Sequence, residues 1–119
     1  MSERLLRHRT RAFAEAVMRY AGRLPSDQTA QWLGNQLMRS ATSVGAAYRA
    51  ACRAQSRNDF LAKLALVEQE ADEAAYWLEL AESLEVVSSP DTARLRAEAS
   101  EIVAMTVASI RTARTRRRG

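Results

Sequence analysis

The strongest constraint in this sequence is a spacing that occurs four times. Apolar side chains recur every third or fourth residue in four separate stretches. At 3.6 residues per turn, an α-helix puts such positions on one face. Leu6, Thr10, Phe13, Val17, Tyr20 and Leu24 form the first stripe, and Leu33, Leu37, Ala41, Val44, Tyr48 and Ala51 the second. Phe60, Leu64, Val67, Ala71, Ala74, Leu78 and Ala81 form the third; Leu95, Ala99, Ile102, Thr106, Ile110 and Ala113 form the fourth. No stretch sustains the period-two alternation with β-branched residues that a strand requires, so the chain reads as all-α.

The breaks between stripes carry helix-terminus chemistry. Gly22 and Pro25 end the first helix, and Ser26 or Asp27 can accept from the free N–H groups that open the second. Ser56-Arg57-Asn58-Asp59 has capping-box spacing, with Ser56 as N-cap and Asp59 reaching back to it. Ser89-Pro90-Asp91 opens the fourth helix with a cap, then a proline where no N–H is needed. Turns of a few residues make consecutive helices antiparallel, which predicts an up-down-up-down four-helix bundle in one domain over 1–119. The expected helices span about 3–23, 27–54, 57–84 and 90–113, with a basic tail at 114–119. The second and third would be about 40 Å long.

The stripes are short of bulk, because alanine is the commonest residue at 23 of 119. A glycine inside a helix costs about 1 kcal/mol relative to alanine, so Gly45 predicts close approach by a neighbouring helix. Leu66, Trp77, Leu80 and Leu84 add a second apolar flank to the third helix, and Trp32 lies off the main stripe of the second. Such a flank either widens the core or faces another copy of the chain.

The second and third helices carry a recognisable pattern. Arg39-Ser40-Ala41-Thr42-Ser43-Val44-Gly45-Ala46, then Tyr48-Arg49-Ala50-Ala51-Cys52-Arg53-Ala54 and Ser56-Arg57-Asn58-Asp59-Phe60, resembles the bacterial four helix bundle protein family. That family is also called the 23S rRNA intervening-sequence, or S23-like, family. Glu68-Gln69-Glu70-Ala71-Asp72-Glu73, Tyr76-Trp77-Leu78-Glu79 and Val107-Ala108-Ser109-Ile110-Arg111-Thr112-Ala113 extend the match over nearly the whole chain. The resemblance implies an antiparallel four-helix bundle that assembles into a homo-pentamer. A related branch, the accessory proteins of diversity-generating retroelements, is a basic pentamer that binds a reverse transcriptase and nucleic acid. Both are therefore candidate partners here. The chain departs from the usual pattern at Ala47, where Asn is common, and at Ala50, where Glu is common, so no role of those polar groups carries over.

Catalytic constellations are sparse. A di-metal bundle site needs two Glu-x-x-His pairs, and the single histidine is His8, so no metal or cofactor is expected. Cys52 has Arg49 and Arg53 nearby but no histidine, and reads as packing. Glu68, Asp72, Glu79 and Glu82 read as a solvated or salt-bridged stripe, the last two near Arg94 and Arg96. No phosphate-binding glycine loop or nucleophile elbow is present, so a non-enzymatic protein is expected. No run of about 18 apolar residues predicts a membrane span. The charged start MSERLLRHRTR and the lone cysteine predict a cytoplasmic protein without a secretory leader.

Charge is where the pattern becomes informative. The net charge is +4, and 17 of the 18 basic residues are arginine. Folded as an up-down bundle, residues 1–13, 41–70 and 103–119 share one half, with 13 basic residues against 4 acidic. The other half holds 5 against 10. Helix dipoles cancel at each end of such a bundle and do not explain the segregation. Arg4, Arg7, Arg11, Arg49, Arg53, Arg57, Arg111, Arg114, Arg116, Arg117 and Arg118 are the candidate nucleic-acid contacts. Trp32, Leu66, Trp77, Leu80 and Leu84 are the candidate oligomer contacts. In a ring of five, the basic ends would share one face. Two functions fit: an oligomeric bundle that binds RNA or DNA backbone through its basic end, or an assembly scaffold whose arginines are consumed between subunits.

Overall fold

The computed structural model describes residues 3–87 and 89–116. Four helices, α1 (Glu3–Gly22), α2 (Gln28–Cys52), α3 (Arg57–Ser83) and α4 (Pro90–Arg116), form a rod of 53 × 20 × 19 Å. Each helix packs on its sequence neighbours, and α1 closes the ring against α4; the diagonal pairs do not approach one another. The antiparallel arrangement is visible in single contacts. Trp32 near the start of α2 meets Trp77 near the end of α3, and Tyr20 late in α1 bonds Thr92 early in α4.

The caps act largely as their chemistry dictates. The Asp27 carboxylate accepts from the Ala30 N–H at 3.0 Å, Ser56 Oγ from the Asp59 N–H at 3.1 Å, and Ser89 Oγ from the Asp91 N–H at 3.1 Å. Asp59 differs from expectation. Its carboxylate accepts from the N–H of Gln55, not of Ser56, and is held by Lys63 one turn on. That ammonium holds the Asp59 carboxyl below its ordinary range. The end of α3 closes as a Schellman motif, with Val86 N–H on the Ala81 carbonyl and Glu85 N–H on that of Glu82. Glu85 accordingly takes the left-handed conformation, at φ 52°. The last helix runs to Arg116, three residues beyond the expected 113, because nothing in Arg114-Thr115-Arg116 breaks a helix.

All four stripes turn inward. Every stripe residue is buried except Leu24, Phe60 and Ala113, which sit half-buried at the ends. The buried Thr10, Ser40 and Thr106 hydroxyls are satisfied by their own helices, donating to the carbonyls of Arg7, Leu37 and Ile102 in turn. Tyr20 and Thr92 satisfy each other at 2.7 Å. Burial pushes the Tyr20 and Tyr48 phenols above their ordinary 10.0. The unfolded chain therefore ionises these phenols first, and stability should fall as pH rises past about 10. Urea midpoints that do not drop between about pH 9.5 and 11 would contradict their burial.

Gly45 does lie against α1, yet a methyl placed there would stand 3.6 Å from the Thr10 carbonyl oxygen, an ordinary contact. Gly45→Ala should therefore stabilise the fold by up to about 1 kcal/mol, seen as a melting temperature a few degrees higher. Gly34 is the tighter position: a methyl there would come within 2.9 Å of the flexible end of the Leu24 side chain, which would have to shift to admit it.

Candidate nucleic-acid interface

The chain reversals bring the start of α1, the end of α2, the start of α3 and the end of α4 together. Tyr48 donates its hydroxyl to the Glu3 carbonyl at 3.5 Å, and Arg57 donates to the Ala113 carbonyl at 3.4 Å across this end. Arg4, Arg7 and Arg11 follow the helical repeat along one face of α1, and Arg49 and Arg53 lie one turn apart at the end of α2. Arg111, Arg114 and Arg116 project from the last turns of α4. All these arginines are exposed. Arg117 and Arg118 lie outside the described residues.

Pairing separates the two ends of the rod. At the far end Arg23 reaches Asp91 at 3.2 Å, Arg94 reaches Asp91 at 2.6 Å, and Arg96 reaches Glu82 at 2.9 Å. Arg94 thus turns to its own helix instead of to α3. Arg39 bridges α2 to Glu73, with Glu70 at 3.6 Å. At the basic end only Arg7 is paired among the candidates, to Glu3 at 2.7 Å. Arg4, Arg11, Arg49, Arg53, Arg57, Arg111, Arg114 and Arg116 have no acidic partner among the described residues. Arg9 of the same end, in contrast, folds inward on Glu98 of α4 through two hydrogen bonds at 2.5 and 3.0 Å. That carboxylate also raises its pKa further.

A groove of about 830 Å³ opens between α1 and α2 at this end. Arg7, Arg11, Arg49 and Arg53 line it, over a floor that includes Ala14, Gly45 and Ala46. Cys52 sits at its edge, half-buried against the core. Burial and the neighbouring Glu3 push the Cys52 thiol up, the opposite of what an activated thiolate needs. Among the described residues, no group of three His, Cys, Asp or Glu side chains is placed to hold a metal ion.

The second apolar flank divides: Trp77 packs against the core, and the rest of it faces outward or sits at the rim. Trp32, Leu66 and Leu84 are exposed, while Trp77 and Leu80 are half-buried. Trp77 packs edge-on against Trp32 at 5.5 Å and against Tyr76 at 5.2 Å, and donates its indole N–H to Glu73. Sequence reasoning missed the Arg39–Glu70–Glu73 bridge and Tyr76 beside it. The signal was present, since Glu70 and Glu73 fall on the same face of α3 as Leu66 and Trp77.

Residues 5–108 match the family described as 23S rRNA-intervening sequence protein. The chain belongs to that family. A crystal structure from Bacteroides thetaiotaomicron, of a protein with unknown function from the S23 ribosomal protein family, is similar in fold. Its TM-score is 0.86 at 31% identity, covering 93% of this chain and 99% of that one. No curated protein matches the chain. As a member of the 23S rRNA-intervening sequence family, the chain is thus a small all-α four-helix bundle. No helix among the described residues is long and apolar enough to cross a membrane.

Proposed function

We propose that this protein is a non-catalytic homo-oligomer, a pentamer by the family resemblance, whose arginine-rich end binds the backbone of RNA or DNA. The observation that carries the reading is the contrast in pairing. Arginines at one end of the rod are mostly neutralised by carboxylates, whereas eight exposed candidates at the other end are not. Unpaired guanidinium groups keep their donors free for phosphate oxygens. The exposed flank of Trp32, Leu66 and Leu84 supplies the apolar surface for association between copies.

Phosphate binding of this kind releases counterions, so affinity should fall steeply with salt. Four phosphate contacts would give a log–log slope of about −3 on a single strand. Fluorescence anisotropy with labelled RNA and DNA between about 50 and 200 mM salt measures it. No binding at the low-salt end would overturn the nucleic-acid reading and favour the scaffold, in which the apolar flank alone carries the function.

A further inference from the structure

Resting on that reading, we infer that the α1/α2 groove is the seat of a single nucleic-acid strand, held through successive phosphates by Arg7, Arg11, Arg49 and Arg53. The remaining arginines of the basic end act as a diffuse field around it.

The geometry favours the groove over the rest of the surface. Gly45 lies beside the Thr10 backbone, which sets the register of the two antiparallel helices. By that register Arg7 and Arg49 stand within one residue of the same level, with Arg11 and Arg53 one turn beyond on opposite sides. The result is a cationic track of three rungs spaced about 6 Å apart. The arginines of α4, by comparison, do not line this 830 Å³ groove.

The lining also indicates what kind of strand fits. Its floor has small side chains and no aromatic ring, so bases gain no stacking platform and recognition falls to sugar and phosphate. A channel between two adjacent helices admits one flexible backbone, whose torsions let its phosphates adjust to the rungs. A duplex holds its phosphates on a rigid cylinder and cannot lower one strand into the channel without unpairing.

Glu3 is the one carboxylate in the lining, and it holds Arg7 across one helical turn. Both side chains are more than half exposed, so the pair is weak and a phosphate can displace the carboxylate. Glu3 therefore acts as a built-in competitor for the groove.

The test uses the full chain and a labelled oligouridylate 20-mer at about 50 mM salt, read by anisotropy. Losing two contacts in Arg49→Gln/Arg53→Gln should cost about 60-fold in affinity and flatten the salt slope by about 1.4. Arg111→Gln/Arg114→Gln removes the same charge at the same end but outside the groove, and should cost less than about fivefold. Glu3→Gln should tighten binding several-fold. Circular dichroism confirms that each variant folds. If the wild type fails to bind, the basic-end reading falls and the groove with it. If the wild type binds but the two double variants lose equally, the basic end stands and the groove assignment is overturned. Glu3→Gln binding no tighter than wild type also counts against the groove, and so does a matched duplex binding as tightly as the strand.

Discussion

Phe13→Ala should destabilise the bundle by about 3–5 kcal/mol, the cost of truncating a fully buried phenyl ring. Phe13 is 2% exposed and is the largest side chain among the fully buried ones. It shares its core with Ala41, Ala71, Ala74 and Ala99, all completely buried. A close-packed interior relaxes only partly into the space a ring leaves, so much of the cavity persists. Domains of this size are stable by about 5–15 kcal/mol, so the variant would sit near the edge of folding at 25 °C. Urea unfolding of the two proteins measures the difference. A loss below about 1.5 kcal/mol would mean that the core collapses onto the site, contrary to the packing described.

Trp32→Glu/Leu84→Glu should convert the proposed oligomer to a single chain of 13.3 kDa. Trp32 and Leu84 are 53% and 58% exposed, so the cost within the monomer is small beyond the lost Trp32–Trp77 ring contact, about 1 kcal/mol. In an assembled interface each would bury an unpaired carboxylate, a penalty of several kcal/mol per ion. Light scattering should give about five times the chain mass for the wild type, as the family resemblance implies, and one chain mass for the variant. An unchanged mass would place the contact on another face.

The stripes and caps were legible because both are local. Leu64, Val67, Ala71 and Leu78 repeat with the helix, and Ser56 and Pro90 announce termini from chemistry within a few residues. Side-chain partners between helices were not legible in the same way. Arg9 takes Glu98 and Arg39 takes Glu73 because the helices slide into one particular register, and periodicity alone is silent on register. Gly45 drew attention through its context in α2, but the tight site proved to be Gly34, which depends on how the α1–α2 turn folds Leu24 back. The arginines of the candidate site could be assigned to one end from topology. Which of them share a groove follows only from how α1 and α2 pack.

In the proposed function, the uneven pairing of arginines along the 53 Å rod would also set how the molecule meets a polyanion. A bundle that docks by its basic end points its acidic end outward, where it repels the next strand. Such a particle coats a strand without cross-linking it to another, and its bound form shows solvent the same sign of charge as the nucleic acid beneath. An evenly charged protein of the same +4 would bridge strands and precipitate with them.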